Sequence, residues 1–142
     1  MKSIALLCCF GLLVAALAAQ ERYEVRFEAD DRQFAGTLEL FEAAATMQLE
    51  YFCAQSAVYE SIQIDFHARR DDDSQVELIA YRAVVPGTDI FHPTCPVLDF
   101  QLVYDAIGQP HLFLLDEDRN FRRECSIRPL PAPGAIMTGI QR

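Results

Sequence analysis

Hydrophobic and polar residues alternate along almost the whole chain. Tyr23, Val25 and Phe27 are interleaved with Glu24, Arg26 and Glu28. A second run, Phe34 to Phe41, turns Thr37 and Glu39 outward. Met47, Leu49, Tyr51 and Cys53 alternate with Gln48 and Glu50, and Ile62, Ile64, Phe66 and Ala68 with Gln63, Asp65 and His67. Val76 to Val85 follows and is broken by Pro86-Gly87. Leu98, Phe100, Leu102 and Tyr104 then alternate with Asp99, Gln101 and Asp105, and His111–Leu115 and Phe121–Ile127 complete the series. A period of two puts successive side chains on opposite faces of a strand, one buried and one wet, as in antiparallel sheets.

Turn-forming residues separate the runs: Asp30-Asp31, Ala54-Gln55-Ser56, Arg70 to Ser74, Gly108-Gln109-Pro110 and Asp116 to Asn120. Seven to eight strands of this spacing predict an all-β, antiparallel two-sheet β-sandwich of immunoglobulin or fibronectin architecture. The tryptophan of true immunoglobulin domains is absent, since the chain has none. Ala43-Ala44-Ala45 favours a helical turn around Phe41 to Thr46, and the alternation from Met47 onward keeps that turn short.

The two ends differ from this pattern. Met1-Lys2-Ser3 precedes an apolar run from Ile4 to Leu17, and Ala16-Leu17-Ala18 offers a small-residue cleavage site. Residues 1–19 therefore read as a secretory signal peptide. The run falls short of the roughly 20 apolar residues of a spanning helix. The domain is expected over residues 20–128. Pro129, Pro131, Pro133 and Gly134 predict a proline-rich flexible tail over 129–142, without ladder pairing. Arg128-Pro129-Leu130-Pro131 is the one stretch there suited to a polyproline-II contact.

Charge narrows the partners. The whole chain carries 12 basic and 21 acidic residues, and losing Lys2 with the leader takes its formal charge from −9 to −10. Such a surface repels nucleic-acid phosphates and anionic lipid. Without Lys2 there is no lysine for Schiff-base chemistry.

Cysteine carries most of the remaining information. Cys53, Cys95 and Cys125 follow the leader, and an oxidising compartment, periplasmic or extracellular, favours a disulfide. If strands alternate direction, Cys53 and the loop from Pro86 to Pro96 share one end, and Cys125 lies about 13 Å down its strand. The expected bridge is Cys53–Cys95; Cys95–Cys125 is the alternative. His92, three residues before Cys95, has chelating spacing, but no second pair stands elsewhere. His67 and His111 fall on strands. Asp71, Asp72 and Asp73 are the better calcium candidates, ahead of Asp116 to Asp118, and neither matches an EF-hand loop. No nucleophile elbow, zinc helix motif or phosphate loop occurs, so no cofactor is expected. The reading that follows is a non-catalytic exported module that binds another protein through its sheet edges. The alternatives are a hydrolase using carboxylates such as Asp65, Asp99 or Glu77, and a calcium-stabilised adhesin-like domain.

Overall fold

The computed structural model describes residues 20–53, 56–92, 97–119 and 122–131. The leader over 1–19 and residues 132–142 of the expected tail lie outside them. Eight strands follow one another: β1 (Glu21–Ala29), β2 (Arg32–Leu40), β3 (Ala44–Cys53), β4 (Val58–Asp72), β5 (Gln75–Val84), β6 (Phe100–Tyr104), β7 (Pro110–Leu115) and β8 (Arg122–Pro129). Each pairs antiparallel with the next, and β8 pairs with β1, so the sheet closes into a single up-and-down barrel.

The expected two-sheet sandwich is thus replaced by one closed sheet. Alternating side chains are common to both architectures. What separates them is the register Tyr23↔Pro129 to Arg26↔Ser126, which joins the first strand to the last. The same pairing corrects the tail boundary. Pro129 ends β8 inside the ladder, and Leu130 N–H donates to the Arg22 carbonyl at 2.9 Å. Proline is tolerated at such a strand end. The expected helical turn is also absent: Ala44 already belongs to β3, and a tight bend closed by Phe41 N–H to Ala44 C=O, 2.8 Å, replaces it.

The inward positions are those of the alternation. Val25, Leu38, Met47, Ile62, Ile64, Phe66, Val76, Leu78, Phe100, Leu102 and Leu112 are completely buried. One irregularity shifts the phase. Asp65 pairs with Arg82 and Phe66 with Ala80, leaving Tyr81 as a bulge on β5. Inward residues on β5 are therefore Val76 and Leu78 before it and Ala83 after it. Charged residues occupy the outward positions of β1, the reverse of a barrel that spans lipid with an apolar outer band.

Strand direction sorts the connections onto two ends. The tight end carries the bend at 41–43, the Asp73-Ser74 hairpin and the turn at 105–109. The loop end carries Asp30-Asp31, the β3–β4 connection, the long segment between β5 and β6, and the β7–β8 turn. Asp30 and Asp31 both have positive φ, 52° and 59°, the backbone of a two-residue hairpin whose twist matches its strands.

Candidate functional site

Eight strands enclose a lumen just wide enough for side chains to fill, and here they fill it. Phe100 of β6 lies 5.1 Å from Phe27 of β1 and 5.8 Å from Phe66 of β4, ring centre to ring centre, so it reaches strands that do not flank it. Phe27 stacks on Phe34 at 5.0 Å, and Phe34 meets Tyr51 at 5.1 Å. Among the described residues, this aromatic chain crosses the lumen from β4 to β1 and on to β3. Function is therefore to be sought at the ends.

Each mouth is closed by a polar cluster. At the tight end, Tyr23 and Tyr104 hydroxyls donate to the same Glu21 carboxylate oxygen at 2.5 and 2.6 Å, with their own oxygens 2.9 Å apart. Burial, then the Glu21 hydrogen bond, pushes the Tyr104 phenol up to about 12, and the same causes raise Tyr23. At the loop end, Tyr51 Oη donates to Glu60 Oε2 at 2.5 Å. His92 Nε2 lies 3.4 Å from that hydroxyl and 3.8 Å from the same carboxylate, and Arg32 sits over the Tyr51 ring at 5.3 Å. His92 arrives from the β5–β6 segment. Its N–H donates to Ala83 C=O at 2.9 Å, and Phe91 bridges to Val84. Further along, Asp99 Oδ1 accepts from Ala80 N–H at 2.9 Å. The upper half of β5, where β6 no longer pairs with it, is thus met by Ile90 to His92 and by Asp99 among the described residues. Among the described residues each strand pairs with two neighbours, so the outer edge strands of the expected sandwich are replaced by a closed ladder.

The loop end is apolar as well. Phe91 is 72% exposed, Ile90 66% and Tyr59 75%; Val58, Val85 and Val97 are exposed too, and Phe52 packs edge-on against Tyr59 at 5.4 Å. A cleft of about 660 Å³ opens between the β1–β2 and β7–β8 turns, over Ala29, Val97, Leu98 and Leu114.

The residues singled out in the sequence are scattered around this frame. Cys53 ends β3 at the loop end, and Cys95 lies outside the described residues. Cys125 is a buried free thiol on β8, pushed up to about 11 by burial. Asp71 pairs with Arg69 at 3.6 Å, and Asp72 accepts from Ser74 N–H and hydroxyl at 2.7 and 2.6 Å. Asp71, Asp72 and Asp73 do not converge, and no three potential ligands form a metal group among the described residues. His67 stacks on Tyr81 at 4.4 Å on the outer wall, and His111 bridges Asp105 and Glu124 at 3.1 and 3.2 Å.

The carboxylates offered for hydrolysis are held by arginines. Burial pushes the Asp65 carboxyl up, but hydrogen bonds from Arg82 at 2.5 Å, Gln63 at 3.0 Å and Thr46 at 3.1 Å outweigh it and hold it below the usual range. Glu77 is clasped by Arg69 and Arg119, and Arg119 also reaches Asp99 at 2.9 Å. All three face the outer wall.

Sequence reasoning missed the Tyr51–Glu60–His92 cluster and the cleft. The signal available for the cluster was phase: Glu60 shares the inward parity of Ile62 and Ile64. No protein-family model, curated protein or solved structure matches this chain.

Proposed function

We propose that the chain is an exported, non-catalytic protein-binding module whose docking surface is the loop end of the barrel. One observation carries this. Among the described residues, seven of the ten exposed large hydrophobics lie at that end, around Phe52 and Tyr59 on one side and Ile90, Phe91 and Val97 on the other. Apolar side chains scattered singly need no explanation, whereas a patch of them marks an interaction surface. The filled lumen argues against a carrier of small ligands, and the arginine-held carboxylates argue against acid–base catalysis.

The test is capture from the exported fraction of the chain's own cells. The immobilised mature chain is compared with Ile90→Ser/Phe91→Ser and, as the control at the opposite end, Ile107→Ser. Loss of a captured protein in the loop-end variant alone is the expected result. Equal loss in both, or retention in the loop-end variant, overturns the reading.

Export implies an oxidising compartment, and we propose the Cys53–Cys95 bridge within it. His92, three residues before Cys95, touches Tyr51, two residues before Cys53. Peptide mapping without reductant is expected to recover the joined peptide, and reduction is expected to cost about 4 kcal/mol of stability on the chain-entropy account. A Cys95–Cys125 peptide would replace it.

A further inference from the structure

The outer wall carries a groove of about 540 Å³ that runs across four strands. It passes from Arg26 on β1 over Ala35 on β2 and Glu50 on β3 to Ser61 on β4, residues that stand opposite one another in the ladder. On β2 the run Ala35-Gly36-Thr37 gives it a floor without a large side chain. Pro86, beside β4, and Leu130, beside β1, complete the lining. Leu130 is also where pairing with β1 runs out: its N–H donates to Arg22 C=O at 2.9 Å, and Pro131 is the last described residue. The chain therefore leaves the barrel at the margin of the groove, with residues 132–142 still to follow.

Those residues suit the groove in length, polarity and charge. Extended, they reach about 36 Å, whereas the path from β8 across to β4 is about 19 Å at the spacing of neighbouring strands. They include Ile136, Met137 and Ile140, whose burial against a wall is favourable. They hold no acidic residue and one cation, Arg142. Of the charged groups in the groove, Glu24 pairs with Arg26 at 3.3 Å and with Arg128, and Glu50 meets no cation among the described residues. Proline fixes φ near an extended value, so docking a chain that carries Pro131 and Pro133 costs less conformational entropy. Attachment at Leu130 makes the contact intramolecular, and a contact too weak to hold a free peptide is then enough. We propose that residues 132–142 fold back over the outer wall and dock in this groove, with Ala135-Ile136-Met137 on the small residues of β2. The site lies on the wall and not at the loop end, and it stands independently of the docking surface proposed there.

The test compares the isotope-labelled mature chain with the same chain ended after Pro131. Ending the chain there is expected to move the backbone amides of Ala35, Thr37 and Ser61 and to leave those of Ile107 and Gly108, at the tight end, in place. The mature chain has two methionines, Met47 in the core and Met137, so methyl labelling gives one probe of the barrel and one of the segment. The Met137 methyl is expected to show a nuclear Overhauser contact with the Ala35 methyl. Ala35→Gln/Ser61→Gln, which fills the floor from exposed positions, is expected to move the Met137 methyl to its position in the free peptide 132–142. An unchanged Met47 methyl shows that this variant is folded. A Met137 methyl already at the free-peptide position in the intact chain, or one that the double substitution leaves unmoved, overturns the proposal. Contacts that strengthen with protein concentration place the segment of a second copy in the groove and overturn the fold-back as well.

Discussion

Of the glycines at 36, 87 and 108, Gly36 has the least room for a side chain. A β-carbon there would lie 1.9 Å from the Gln48 carbonyl oxygen and 2.9 Å from Leu49 Cα, both backbone atoms of the neighbouring strand. Neither can move without opening the β2–β3 ladder. Gly36→Ala is expected to cost about 3 kcal/mol, measured by urea unfolding. His111 gives a pH signature. Hydrogen bonds to Asp105 first, and then to Glu124, raise its pKa above the ordinary value near 6.5. The folded chain therefore holds that proton more tightly than the unfolded one. The contribution is complete below the unfolded value and disappears as pH climbs through the raised folded value. Between pH 6 and pH 9 the Tm of the wild type is expected to fall relative to that of His111→Gln; parallel curves would show that the bridge contributes nothing.

The strands were legible because each buries one face, and a period of two is a local signal. Their closure was not, because it depends on residues more than a hundred positions apart, Tyr23 with Pro129 and Val25 with Ile127. Pro129 was misjudged by a rule that holds for the middle of a ladder and not for its last rung. The Tyr81 bulge was hidden inside a run of apolar residues whose phase changes without a break in composition. The acidic turns were visible one by one, but the cleft between them exists only because the first and last hairpins become neighbours. Phe100 is where the elements depend on each other most. It opens the five-residue strand β6 and meets β1 and β4 across the lumen. Phe100→Ala is expected to cost about 4 kcal/mol. Hydrogen exchange is expected to quicken on β1 and β4 as well as on β6 itself; acceleration confined to β6 would show that the ring does not tie them.

At the scale of the whole molecule, the lumen is filled, and most of the exposed large hydrophobic residues among those described gather at the loop end. The tight end carries instead the Tyr23–Tyr104–Glu21 clasp, which ties β1 to β6 across the mouth. On the proposed reading, surface substitutions at the loop end are expected to change capture without disturbing the lumen. The seam between β1 and β8 has a different consequence. With the outermost strands hydrogen-bonded to each other, the order of the hairpins is cyclic, and the place where the ribosome begins reading is arbitrary with respect to the pairing. Joining residue 131 to residue 20 through about four glycine and serine residues and opening the chain at the exposed Gly108 turn is expected to give a permuted protein with the same far-ultraviolet dichroism. It is also expected to keep whatever capture the unpermuted chain shows, since the cut lies at the opposite end from Ile90 and Phe91.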